Sequence, residues 1–266
     1  MIFAGGIPAL TLLALSGALS ELSGGPFHQL AQALERNYED RGAVKRSELS
    51  IPQHGTISYL HAGPPSSDRL VVFLHGAAFS ARTWQIVGCL DMLADAGIRS
   101  VALELPGSAN GLSGPRQSAA RQRTLLGAFV HHLRWQHRVL VVAASAGGLV
   151  GSPYVFEHPE QAAGYVSVAA LLDAPPNANT SPSSVPALVV WGELDSPSRS
   201  ESTMLAFGAA HREVIAKAPH PAYLKEPARF SSLVLAFAGG SGAGSFEGTT
   251  ADWSPPGAAR RPRATR

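Results

Sequence analysis

The sequence predicts a mostly parallel, doubly wound α/β sheet, and three observations carry that expectation. Residues 70–74 (Leu-Val-Val-Phe-Leu) and 139–143 (Val-Leu-Val-Val-Ala) are short, wholly apolar runs, as strands buried on both faces must be. Between such runs lie stretches with apolar residues three to four apart, the crossover helices that parallel neighbours require. The 266 residues, 45% hydrophobic and 15% charged, are enough to bury one such sheet and too apolar for general disorder.

Taken in order, residues 56–60 alternate and read as an early strand, ended by the turn-like stretch 61–65. Strand 70–74 follows. Ser80 is placed to cap a helix running through Leu93, with Trp84, Val87, Leu90 and Leu93 on one stripe. Residues 100–105 form the next strand, stopped by Pro106 and Gly107. Residues 122–135 have the helical period, and 139–143 is again a doubly buried strand. Residues 164–170 and 187–191 repeat the strand pattern, and a short strand at 214–216 precedes a helix near 222–237. The domain so defined covers residues 47–238 and contains no internal repeat.

The two ends differ in composition from this domain. Residues 1–24 form an apolar leader, with no charged side chain in the first twenty. Small Ala18 and Ser20 suit a secretory cleavage before Glu21, although no basic residue precedes the apolar stretch. A short membrane anchor, giving membrane contact through residues 1–20, and an apolar segment packed on the domain are the other readings. Residues 239–266 are a Gly/Pro/Arg-rich tail of the composition that stays disordered. Arg260, Arg261, Arg263 and Arg266 against Glu247 and Asp252 account for the whole formal net charge of +2. The rest of the chain is neutral and lacks the basic face that a nucleic-acid partner would require. Cys89 is the sole cysteine, which excludes an internal disulfide and a thiolate metal site, and its amphipathic surroundings suit a core residue.

In a sheet of this kind ligands bind at the carboxyl ends of the strands, so the residues after each strand carry the chemistry. After 139–143 comes Ala144-Ser145-Ala146-Gly147-Gly148, a serine between small neighbours at the entry to a helix. The usual pattern is Gly-x-Ser-x-Gly, and Ala143 departs from it by one methyl group. On motif length alone such a serine reads more readily as a helix cap, and its place after a buried strand and before a helix favours the catalytic reading. Asp195 follows strand 187–191, where a carboxylate can orient a histidine or cap the helix starting near Ser198. His220 follows strand 214–216 in the loop Pro219-His220-Pro221. The chain order Ser145, Asp195, His220, each after its own strand, is that of an α/β-hydrolase triad. Asp173 is the alternative acid, while Glu193 points by alternation away from Asp195. The loop after strand 70–74 suits an oxyanion hole, with backbone donors at Ala77 and Ala146. His75 reads as a residue that holds this loop. Phe79, Ser80 and Trp84 read either as acyl-pocket residues or as a cap and two core aromatics. No metal-binding spacing, phosphate loop or dinucleotide fingerprint occurs.

Leu74-His75-Gly76, Ala78-Phe79-Ser80, Thr83-Trp84-Gln85, Leu105-Pro106-Gly107 and residues 219–227 (Pro-His-Pro-Ala-Tyr-Leu-Lys-Glu-Pro) resemble the α/β hydrolase domain-containing protein 14 group. The resemblance covers residues 70–237. It implies a Ser-His-Asp hydrolase that requires no cofactor, acting on small acyl esters or amides. It further implies a lysine deacetylase activity in which coenzyme A accepts the acetyl group, a cytoplasmic location for some members, and an amino-terminal anchor in another branch. A catalytically silent binding or adaptor protein on the same fold is the alternative. Residues 171–186, the gap between two strands where many such enzymes carry a lid, are few and rich in Pro, Asn and Ser, so an open pocket preferring acetyl groups is expected.

Overall fold

The computed structural model describes residues 27–36, 43–108, 112–175, 182–208 and 210–240. The leader, and all of the tail beyond Gly240, lie outside the described residues. Eight strands form one sheet: β1 (Lys45–Ile51), β2 (Gly55–Ala62), β3 (Leu70–Leu74), β4 (Arg99–Leu103), β5 (Val139–Ala144), β6 (Ala162–Val168), β7 (Ala187–Gly192) and β8 (Ala210–Ile215). Their order is β1-β2-β4-β3-β5-β6-β7-β8. β2 runs antiparallel to both β1 and β4, and from β4 onward every pairing is parallel. This is the mixed but mostly parallel α/β sheet that the sequence predicts.

Alternation along the strands divides the core in two. Val71 and Phe73 point into one apolar cluster with Trp84, Leu90 and Phe230, whereas Leu70, Val72 and Leu74 point into the other with Leu126, Phe129 and Tyr154. Each face is covered by helices, so β3 and β5 are buried along their entire lengths.

Several elements differ from the sequence expectation. Helix α1 (Phe27–Arg36) precedes the expected domain, and its Leu30, Ala31 and Leu34 join the cluster that holds Trp84. β1 was not anticipated because its outward side chains are polar. The expected helix from Ser80 to Leu93 is two: α2 (Arg82–Ile86) and α3 (Cys89–Asp95), parted at Gly88, whose φ of 86° lies in the left-handed region. Ser80 caps neither; its buried hydroxyl donates to the Glu35 carboxylate of α1. Helix α4 (Ala119–His132) starts earlier than expected, at a Ser118 cap whose side chain accepts from the Arg121 N–H. Helix α5 (Gly148–Glu157) follows β5, and α6 (Ser198–Ala206) follows β7. The last expected helix is also divided, into α7 (Ala222–Lys225) and α8 (Pro227–Gly239), with Pro227 opening the second. No helix among the described residues is long and apolar enough to cross a membrane.

Candidate active site

The chain leaves β5 through a turn that only a few residue types permit. Ser145 has φ of 46°, a left-handed conformation that costs a side-chain-bearing residue about 1–2 kcal/mol. The turn Ser145–Gly147 then enters α5 against the end of β3. A Cβ on Gly147 would lie 2.5 Å from the Leu74 carbonyl oxygen, and one on Gly148 would lie 2.0 Å from that of Leu171. Both positions therefore require glycine. Ala143, the departure from the usual elbow, is accommodated by Gly151 of α5, where a Cβ would come within 3.3 Å of the Ala143 methyl group. The Leu171 N–H donates to the Ser145 carbonyl at 2.8 Å and fixes the turn from the far side.

The acid and the histidine come from two loops that are stitched together. A Cβ on Gly192 would lie 2.2 Å from the Ala218 oxygen and 2.4 Å from the Pro219 oxygen, so the loop after β7 crosses the loop after β8 backbone to backbone. The Glu193 N–H donates to the Ile215 oxygen at 3.0 Å and the Leu194 N–H to the Ala218 oxygen at 2.9 Å. The Glu193 carboxylate accepts from the Lys217 N–H at 2.8 Å, bracing a residue with φ of 54°. Asp195 does not cap α6, where Pro197 stands at the N-cap without a side-chain bond. Instead its Oδ1 accepts from the Ser196 N–H at 2.9 Å, and its Oδ2 lies 2.6 Å from His220 Nδ1. His220 Nε2 lies 3.0 Å from Ser145 Oγ. With Nδ1 donating to the carboxylate, Nε2 is left to accept the serine proton. The His220 and Asp195 side chains are 19% and 12% exposed, enough for access and little enough to protect the pair from bulk water.

The fold agrees with what comparison finds. The sequence pattern described as "Alpha/beta hydrolase family" matches residues 71–265. The chain belongs to the alpha/beta hydrolase family. Within it the chain is ABHD14-like. It is 32% identical to ABHD14B of Homo sapiens, named as a proposed protein-lysine deacylase, over 73% of this chain and 96% of that one. It is 33% identical to ABHD14A of Homo sapiens over 63% of each chain. Among solved structures, naproxen esterase from Bacillus subtilis superimposes with a TM-score of 0.61 at 17% identity, covering 79% of this chain and 96% of that one. Carboxylesterase CesB from the same organism gives 0.62 at 15%, covering 87% and 100%. These two likenesses concern the fold.

In this ABHD14-like alpha/beta hydrolase the loop after β3 runs directly beside the serine, because a Cβ on Gly76 would meet the Ser145 Cβ at 3.3 Å. Ala77, which follows it, is exposed, and Ala146 is half-buried. His75 is 2% exposed; its Nε2 accepts from the Leu105 N–H at 3.0 Å and its Nδ1 donates to the Gly76 oxygen at 2.8 Å. The Ala81 N–H donates to buried Glu104 at 3.1 Å, so both ends of the loop are anchored. Trp84 is corrected from a pocket residue to a core one: it is wholly buried, 5.2 Å from Phe73 and 5.0 Å from Tyr223 between ring centroids. Ser80 is turned toward Glu35, as described above, and Phe79 is buried against Tyr223. The alternative acid Asp173 is engaged elsewhere, 2.5 Å from Arg123 Nη1. Cys89 is buried beside Ser231, and burial pushes its thiol up to about 12, away from nucleophilic character. Among the described residues no group of three or more His, Cys, Asp or Glu side chains is placed to hold a metal ion. Sequence reasoning missed Glu35, Glu104 and Arg199, whose Nη1 lies 3.5 Å from His220 Nδ1; a charged residue in a loop or a helix turn carries no motif.

Proposed function

We propose that the protein is a serine hydrolase that cleaves small acyl esters or amides through an acyl-Ser145 intermediate. The observation that carries this reading is the continuous Asp195–His220–Ser145 arrangement at 2.6 and 3.0 Å, with the serine held at positive φ beside the Gly76 backbone. His220 Nε2 takes the hydroxyl proton as Oγ bonds to the carbonyl carbon. The proton then passes to the leaving oxygen or nitrogen as its bond to the acyl carbon breaks. Water returns a proton to Nε2 while its oxygen attacks the acyl carbon, and Ser145 leaves with that proton. Asp195 holds the tautomer and stabilises the imidazolium. The Ala77 and Ala146 N–H groups serve as donors to the tetrahedral oxyanion.

The name of ABHD14B supports an acylated lysine as one substrate class. Two acceptors are proposed for the acyl group, water and coenzyme A, and their competition, followed as acetyl-coenzyme A formation, assigns the share of each. A fluorophosphonate probe tests the main reading. It should label the folded protein at Ser145, and Ser145→Ala should abolish labelling and lower kcat for 4-nitrophenyl acetate by several orders of magnitude, up to about 10⁶-fold. A folded wild-type protein that neither labels nor turns over would instead be the silent binding member of the family.

A further inference from the structure

We propose that the cleft between the β1–β2 turn and the loop entering α4 is a binding site for an organic phosphate ester, independent of the chemistry at Ser145. The sequence marks the region by its charge: from Leu105 to Phe156 it holds five arginines and no aspartate or glutamate. Two of the five have structural partners, Arg123 in Glu157 and Asp173, and Arg138 in the Ala162 carbonyl. Arg116 and Arg121 differ. Both are exposed, and neither takes part in an ion pair among the described residues.

These two arginines line one cleft of about 690 Å³, the size of a small-molecule site, and no aspartate or glutamate contributes to its walls. Its frame is pinned from three directions. The Ser58 N–H of β2 donates to buried Ser113 Oγ at 3.0 Å. The Gly107 N–H donates to the Gly114 oxygen at 2.9 Å, and a Cβ on Gly107 would lie 2.5 Å from that of Arg116, so the Arg116 backbone rests directly on the turn after β4. On the opposite wall Gln117 Nε2 donates to the His54 oxygen at 2.8 Å, which leaves Gln117 Oε1 to accept from His54 Nδ1 at 3.0 Å. His54 is 8% exposed, and this two-way bond clamps the β1–β2 turn to the loop.

Chemistry selects the ligand class. Two guanidiniums in a concave site without carboxylates favour an anion, and their paired N–H donors match the spacing of phosphate oxygens. The first turn of α4, which contains Arg121 and no acidic residue, adds the positive end of a helix dipole to the same wall. A free phosphate ion would occupy only a small part of such a cleft. Leu112, 46% exposed, and Pro115 line it as well and give the organic half of an ester an apolar surface to cover.

Isothermal titration calorimetry on the full chain with adenosine 5′-monophosphate, inorganic phosphate and adenosine tests this. The nucleotide should bind about tenfold more tightly than inorganic phosphate, adenosine should give no measurable heat, and the nucleotide affinity should fall in about 0.5 M NaCl. Arg116→Ala and Arg121→Ala should each weaken the nucleotide by about tenfold, and Arg116→Glu should abolish its binding. These substitutions are on the surface, so the melting temperature should stay within about 2 °C of the wild type, and Ser145 should label with a fluorophosphonate to the same extent. Inorganic phosphate binding as tightly as the nucleotide overturns the ester and leaves free phosphate as the ligand. Absence of binding by both, or a nucleotide Kd unmoved in all three variants, overturns the site.

Discussion

Ser145 pays for its place at the site with backbone strain, and two hydroxyl-free substitutions separate that strain from chemistry. Ser145→Gly and Ser145→Ala both remove the hydroxyl that the hydrolase reading makes the nucleophile, but only glycine adopts φ of 46° without steric cost. The glycine variant should be the more stable of the two by about 1 kcal/mol in urea denaturation, while both are inactive. Equal midpoints, or a more stable alanine variant, would show that the turn is not strained. The residue types of the proposed triad were legible in the sequence because Ser145 and Asp195 closely follow the apolar strands β5 and β7, while His220 was legible from its loop and its place in the chain order, beyond the mixed strand β8. What the sequence left ambiguous at Ser145, Asp195 and His220, a cap or surface role against a catalytic one, is a matter of which atom each side chain faces. Composition carries no such information. Trp84 shows the same limit from the other side: a large aromatic near a site has the same signature whether it lines a pocket or fills the core.

At the level of elements, helix α1 lies ahead of the domain that the sequence pattern defines, yet it packs into the core. Leu30, Ala31 and Leu34 recur at helical spacing and are buried. Glycine-rich and polar neighbours dilute that signal, so the sequence pattern places the start of the domain at residue 47. Leu30→Ala should cost about 2–4 kcal/mol, because Leu30 is 1% exposed within the cluster around Trp84. A change below about 0.5 kcal/mol in the urea unfolding free energy would mean that the helix does not pack there. β1 was missed for a different reason. It is a sheet edge whose outward positions are charged or polar, so the apolar run that disclosed β3 and β5 is absent. The division of the expected Ser80–Leu93 helix at Gly88 had a visible marker, since a glycine inside a helical pattern is a common place for a break.

Across the whole molecule the parallel pairing from β4 to β8 brings Ser145, Asp195 and His220 to one edge of the sheet. The same order leaves little between β6 and β7. The described residues there, 171–175 and 182–186, contain no helix, while 176–181 lie outside the described residues. On the hydrolase reading, this arrangement predicts a shallow acyl site: across 4-nitrophenyl esters, kcat/KM should be highest for acetate and fall by butyrate, since a longer chain gains about 0.8 kcal/mol per CH₂ only where burial is complete. A kcat/KM that climbs steadily from acetate to dodecanoate would contradict it.

The crossing at Gly192 also sets what is inherited together. Asp195 and His220 are twenty-five residues apart, yet the backbone bonds from Glu193 and Leu194 bind their loops into one unit, all of it carboxyl-terminal to the β6–β7 connection. Ser145 lies wholly on the amino-terminal side. On the hydrolase reading, the amino-terminal part bears the nucleophile in a tense turn and the carboxyl-terminal part bears the proton acceptor aligned by its own carboxylate, and the two meet along the β6–β7 pairing and where Tyr223 and Phe230 pack on Trp84.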